Sequence, residues 1–251
     1  MVAIHLCIAT KIKVNKMIKE KINNALNKIK YGEESNLPFK DGYIEFTSQK
    51  EIEEWGKKYY SEWSEKYKTT FINYSKFTRN SLFKSPVELY CGYKYREINH
   101  SLRYDEDNQY RVLADILSVV ICSAPPIPCD LIGYRLVSDN VADKMFNIKN
   151  LKNSNSEITP YLEKGFMSIS LSKNITKLNE HYSGYNNLLK VYIMNGTDGI
   201  YVNNITSRPE EELILRPDIY VYLMKYPYRD IETGKLVYEC YLQPKTYNEL
   251  I

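Results

Sequence analysis

Glu210-Glu211-Glu212 stands between a turn-rich segment, residues 203–209, and an apolar run, Leu213-Ile214-Leu215. Carboxylates entering a buried strand are costly unless they are used. Side chains alternate along a strand, so Glu210 and Glu212 share a face. Two carboxylates side by side separate in proton affinity, one raised and the other left ionised. Such a pair suits acid–base work or the stabilisation of a developing positive charge. A solvated glutamate cluster does neither, and the triplet alone does not separate the two cases.

Three upstream stretches hold side chains that could serve the pair. Along Tyr95-Arg96-Glu97-Ile98-Asn99-His100-Ser101-Leu102-Arg103, the residues Tyr95, Asn99 and Arg103 fall four apart and share one helix face. Asn and Arg aligned under a Tyr can grip a phosphate-bearing ligand, although an ordinary exposed helix reads the same way. In Leu131-Ile132-Gly133-Tyr134-Arg135-Leu136-Val137 a single arginine interrupts an apolar strand. A buried guanidinium needs a carboxylate partner or an anionic ligand, and both remain open. In Lys164-Gly165-Phe166-Met167-Ser168-Ile169-Ser170-Leu171, alternation puts Ser168 and Ser170 on one face with Phe166 beside them. Hydroxyls there can orient a carboxylate.

The elements that must position these residues run helices first, strands later. Apolar residues at 14, 17, 18, 22, 25, 26 and 29 predict a helix over 14–30, and Gly32, Pro38 and Gly42 mark a connector. Ser48 with Glu51 reads as a capping box opening a helix that carries Ile52, Trp55, Tyr59, Tyr60 and Trp63. Further helices are expected from Ser85-Pro86 to about Arg103 and from about Gln109 to Ser123, stopping at Pro125-Pro126. Strands follow at 131–137, 166–171, 188–194, 199–202, 211–215, 219–226 and 236–243, with helices at about 141–148 and 157–164. This order indicates an α+β fold, with helices packed on a strand-rich core. We expect an N-terminal helical extension over 1–47 and a main domain over 48–251.

Composition narrows the classes further. Net charge is +3 from 34 basic and 31 acidic residues, which gives no nucleic-acid footprint. Five Cys without a CxxC pair and three scattered His argue against zinc, and predict reduced, buried thiols. No apolar run reaches the ~18 residues of a membrane span. The first ten residues lack the basic leader and cleavage site of a signal peptide.

The joint order of the four motifs resembles the clostridial-type mono-ADP-ribosyltransferase toxins, both the Rho-modifying exoenzymes and the enzymatic components of actin-modifying binary toxins. That group shows Tyr-x-x-Ile-Asn-x-x-Leu-Arg on a helix, an aromatic-Arg on the first core strand, Ser-Thr-Ser after an aromatic, and Glu-or-Gln-x-Glu. Here these are Tyr95 to Arg103, Tyr134-Arg135, Ser168-Ile169-Ser170 after Phe166, and Glu210-x-Glu212. The likeness covers roughly residues 48–245 and implies a helical N-terminal part on a mixed β-sandwich. It implies NAD as substrate without a metal, and ADP-ribose transfer to a host protein, actin or a Rho-type GTPase, by a secreted or delivered monomer. By position Glu212 stabilises the oxocarbenium-like transition state, Ser168 holds Glu212, and Arg135 and Arg103 take the diphosphate. Tyr95, Asn99, Tyr134, Gly165, Phe166 and Ser170 complete the cofactor wall. Glu at 210, where other members have Gln, goes with an arginine acceptor. An NAD glycohydrolase and a non-catalytic binding module are the alternatives. Three departures stand out: Ile169 replaces Thr with its side chain expected to face away from the serines. Ser207-Arg208-Pro209 replaces an aromatic turn, and residues 173–187 contain no Arg, with Lys177 the stand-in.

Overall fold

The structure, a computed structural model, describes residues 42–78, 84–146, 160–177, 184–206 and 208–244. The helix expected over 14–30 lies outside them. Helix α1 (Gln49–Thr78) opens on the expected capping box. Ser48 Oγ accepts from Glu51 N at 3.3 Å while Glu51 Oε2 accepts from Ser48 N at 3.3 Å and Thr47 N at 2.8 Å. Ile52, Trp55 and Tyr60, at helical spacing, are its buried face.

The single helix expected from Ser85 to Arg103 is three pieces. These are α2 (Pro86–Leu89), a π-helical turn (Tyr90–Lys94) and α3 (Tyr95–Arg103). The wide turn adds a residue to the helical period, which places Tyr90 and Cys91 in the interior. Helix α4 (Gln109–Ser123) is capped by Asn108, whose Oδ1 accepts from Tyr110 N and Arg111 N.

The strands are β1 (Leu131–Val137), β2 (Tyr161–Glu163), β3 (Met167–Ser170), β4 (Asn187–Ile193), β5 (Gly199–Tyr201), β6 (Glu212–Leu215), β7 (Ile219–Leu223), β8 (Tyr228–Arg229) and β9 (Leu236–Pro244), with α5 (Asp139–Phe146) after β1. They connect in the order β2-β7-β9-β4-β1-β3-β6-β5, with β8 on β9. Only β4 and β9 run parallel; the other pairs are antiparallel, so the sheet is mixed.

β1 and β3 share one register pair, Tyr134↔Ser170. The sheet splays at that seam and folds into a sandwich. Leu131, Val137, Leu189, Val191 and Val221 from one side pack against Met167, Ile169, Leu213 and Leu215 from the other in the main core. Gly133 sits at the seam, where a Cβ would collide with the Ile169 side chain and come 3.3 Å from Ser170 O. The outer face of β3-β6-β5 carries Phe166, Ile200 and Ile214 against Val87, Tyr90, Ile98, Leu117 and Ile121 of the helices. The other outer face gathers Ile132, Tyr134, Leu136, Leu188, Tyr192 and Tyr241. Ile44 joins the sheet by a parallel bridge to Leu131.

Two further expected elements differ, and the strand expected over 219–226 ends at Leu223. Part of the segment expected as a helix near 157–164 is strand β2, which pairs with β7 from Tyr161↔Val221 to Glu163↔Ile219. Three residues carry no period, and the pairing partner decides their state. The strand expected from 211 begins at Glu212, because Glu211 takes a left-handed φ of 48°. The four cysteines among the described residues are free, and Cys91 and Cys240 are buried as expected. Cys122 is exposed, one residue before the end of α4, on its wet face.

Candidate active site

A cleft of about 220 Å³ opens where α3, β1, β3 and the turn before β6 converge. Its lining includes Asn99, Arg135, Ser168, Ser170, Glu210 and Glu212. An adjoining hollow of about 310 Å³ shares Tyr95, Asn99 and Arg135 with it and continues past Arg103 and Glu163.

The carboxylates reach the cleft by a route that alternation does not describe. Ser170 pairs with Glu212 across β3 and β6. Ser170 Oγ donates to Glu210 O at 2.6 Å, and Leu171 N donates to Glu211 O at 3.0 Å, so β3 holds the turn at three successive residues. The left-handed residue turns Glu211 away to Tyr201, whose hydroxyl donates to its carboxylate. Glu210 and Glu212 therefore flank a residue pointing elsewhere and both line the cleft. Asn203 closes the loop: its Oδ1 accepts from Glu212 N at 3.0 Å and its Nδ2 donates to Arg208 O at 2.7 Å.

Glu212 is 7% exposed, and its Oε2 is buried without a hydrogen-bond partner. Arg208 Nη1 lies 3.8 Å from that oxygen and 3.2 Å from Glu210 Oε2. Burial pushes the Glu212 carboxyl above the ordinary range, the Ser168 hydroxyl and Arg208 pull it back, and Glu210 pushes it up further. Burial and the charge of Glu212 likewise hold the Cys91 thiol protonated.

Asn99 is a rivet between α3 and β3. Its Oδ1 accepts from Phe166 N at 2.8 Å, and its Nδ2 donates to Phe166 O and the Tyr90 hydroxyl, both at 3.2 Å. A Cβ at Gly165 would come 2.9 Å from that Oδ1, so the close approach requires glycine. Phe166 is fully buried edge-on to Tyr90 at 5.5 Å, behind the cleft wall. The Tyr90 hydroxyl, pushed up to about 12 mainly by burial, lies 3.3 Å from Ser168 Oγ. Arg135 Nη1 donates to Ser168 O at 3.4 Å.

The structure thus gathers Tyr95, Asn99, Tyr134, Arg135, Ser168, Ser170, Glu210 and Glu212 around the cleft. The Tyr134 phenol itself turns to the far side of β1 and donates to Glu45. Gly165 and Phe166 support the wall and do not line it. Arg103 lies in the adjoining hollow with its fork on buried Glu163, at 2.8 and 2.9 Å. Ile169 faces the core, away from the serines, as expected. Lys177 lies 4.0 Å from Glu232 and lines neither space. Sequence reasoning missed Tyr90, Cys91 and the position of Arg208. The first two depend on the π-helical turn, for which the sequence carries no local signal.

The sequence profile of the ADP-ribosyltransferase exoenzymes matches residues 52–225, more than half of the chain, and the protein belongs to that family. No curated protein sequence matches it. Among solved structures it is similar to the ADP-ribosylating toxin BECa of a binary enterotoxin of C. perfringens, determined with NADH: 19% identity and a TM-score of 0.60 over 80% of this chain and 50% of that one. It is similar to the C3 exoenzyme of Clostridium limosum, at 16% identity and 0.58 over 82% of this chain and 100% of that one. A third is Plx2a, an ADP-ribosyltransferase toxin from Paenibacillus larvae, at 19% and 0.55 over 77% and 96%. The chain spans half the length of BECa. At these identities the likeness establishes the α+β ADP-ribosyltransferase fold alone.

Proposed function

We propose that this protein cleaves NAD and transfers its ADP-ribose to an arginine of a host protein, actin or a small GTPase, as a secreted toxin acting in the host cytosol. One observation carries the reading. A buried glutamate oxygen without a hydrogen-bond partner sits beside a second carboxylate, in a cleft that Arg135 also lines. An unpartnered buried acceptor is unfavourable unless a ligand donates to it, and a ribose 2′-hydroxyl is such a donor.

In this reading Glu212 accepts from the ribose hydroxyl and stabilises the positive charge that grows at the anomeric carbon as nicotinamide leaves. Ser168 orients Glu212, and Asn99 and Tyr90 fix the strand that carries Ser168. Arg135 takes a diphosphate oxygen through its fork. Arg103 reaches the diphosphate only by giving up Glu163. Glu210 accepts the proton that an incoming guanidinium must lose, since a protonated guanidinium is no nucleophile.

The test is incubation of the purified protein with labelled NAD and a eukaryotic lysate, beside Glu210→Gln and Glu212→Gln. We expect a labelled host protein with the wild type, nicotinamide release without labelling for Glu210→Gln, and neither for Glu212→Gln. Labelling that survives in Glu212→Gln overturns the assignment. Nicotinamide release by the wild type with no labelled protein points to an NAD glycohydrolase.

A further inference from the structure

The loop that carries Glu210 and Glu212 also holds a guanidinium of its own against both of them. Arg208 Nη1 lies 3.2 Å from Glu210 Oε2 and 3.8 Å from Glu212 Oε2, and Arg208 lines the cleft. Its backbone is tied on both sides: Arg208 N donates to Thr206 O at 2.9 Å, and Arg208 O accepts from Asn203 Nδ2 at 2.7 Å. Pro209 disfavours a helical backbone at residue 208 and keeps the turn open. The side chain is 37% exposed, whereas those of Glu210 and Glu212 are 14% and 9% exposed. The arginine is thus the solvent-facing member of this cluster, at the exposed edge of the carboxylate pair.

We propose that Arg208 occupies the acceptor position in cis and is the site of self-modification by this protein. This rests on the transferase reading above and names its first acceptor. In the step, Glu210 takes a proton from the Arg208 guanidinium and a terminal nitrogen of Arg208 bonds to the ribose anomeric carbon of NAD. The glycosidic bond to nicotinamide breaks, and its electron pair leaves with nicotinamide, which becomes neutral. The guanidinium regains its positive charge as the N-glycoside. Holding the nucleophile Arg208, the base Glu210 and the charge-stabilising Glu212 on one short loop makes the reaction unimolecular once NAD is bound. An ADP-ribosyl group on Arg208 then fills the cleft mouth, so self-modified protein transfers poorly to any other guanidine.

The experiment incubates the full chain with NAD alone, then locates the adduct by intact mass and peptide mapping, with agmatine as a free guanidine in parallel reactions. We expect one ADP-ribosyl group on Arg208, in a fraction that does not change when the protein is diluted. Arg208→Lys, which keeps the charge and removes the guanidine, loses the adduct. It transfers faster to agmatine, and does not decline after preincubation with NAD. An adduct at another residue, labelling that falls with dilution, or agmatine transfer without any self-adduct each overturns the proposal while leaving the transferase reading intact. Absence of both agmatine product and nicotinamide release overturns that reading and the proposal with it.

Discussion

Replacing Glu212 by Gln should make the protein more stable and nearly inactive. The two effects have one origin. Glu212 is 7% exposed, and its Oε2 lacks a hydrogen-bond partner. An unsatisfied buried acceptor costs about 1–3 kcal/mol, more when charged. The amide keeps the shape and removes the buried charge, and recovering about 1 kcal/mol of that cost would raise Tm by about 2–4 °C for a chain of this size. The lost carboxylate should lower nicotinamide release by about 10²–10³-fold.

The pH dependence checks the cause. Burial, then Glu210, raises the Glu212 carboxyl above its unfolded value. Such a group contributes stability while protonated, and that contribution is lost as pH rises through the folded value. The charge-linked Tm difference between variant and wild type should therefore be largest near neutrality and vanish only below about pH 3, where both folded and unfolded glutamate carry the proton. Thermal denaturation across pH, with nicotinamide release on the same samples, measures both. A variant that melts below the wild type near neutrality would refute the claim that Oε2 is unsatisfied. Unchanged nicotinamide release would refute its use.

Arg103→Ala should strip buried Glu163 of its forked partner and destabilise the fold by about 3 kcal/mol, with much of the loss recovered in the double variant with Glu163→Gln; chemical denaturation of the four proteins tests the pairing. Gly165→Ala places a Cβ 2.9 Å from Asn99 Oδ1, which should cost about 1–3 kcal/mol by denaturation and displace Ser168 enough to weaken NAD binding in calorimetry. Arg135→Lys exchanges a fork for a point charge, and the expected loss of one charge-assisted bond, about 1.5 kcal/mol, weakens NAD binding about tenfold in titration while Tm moves little.

Local pattern carried most of the scaffold. The capping box at Ser48 and Glu51, the Asn108-capped helix, the apolar run of β1 and the alternation in β3 are each set by neighbours within a few residues. The shared face of Ser168 and Ser170 follows from the same alternation. Glu210 and Glu212 do line one cleft, but through the left-handed turn at Glu211 and its Tyr201 partner, which lie beyond any local pattern. The same limit hides the π-helical turn at Tyr90–Lys94, whose residues look like ordinary helix until an extra one is counted per turn. It also hides strand β2, made by β7, and the commitment of Arg103 to Glu163, residues 60 apart in sequence. Side chains paired across that distance leave no trace in periodicity.

The position of β9 bears on when this molecule becomes itself. It lies between β7 and β4, in the middle of the larger sheet, although it is the latest of the described strands in the chain. Until residues 236–244 arrive, β4 and β7 have no neighbour to join them, and the outer apolar face with Tyr192 lacks Val237 and Tyr241. Any process that presents the chain from its N-terminus, synthesis included, therefore yields helices and a partial sheet first. The strands that line the cleft, β1, β3 and β6, all precede β9, which reaches them only through β4, so residues 236–244 complete the sheet on which the cleft rests. Joining β4 to β7 into one continuous sheet is thus the step that residues 236–244 alone can supply among the described strands.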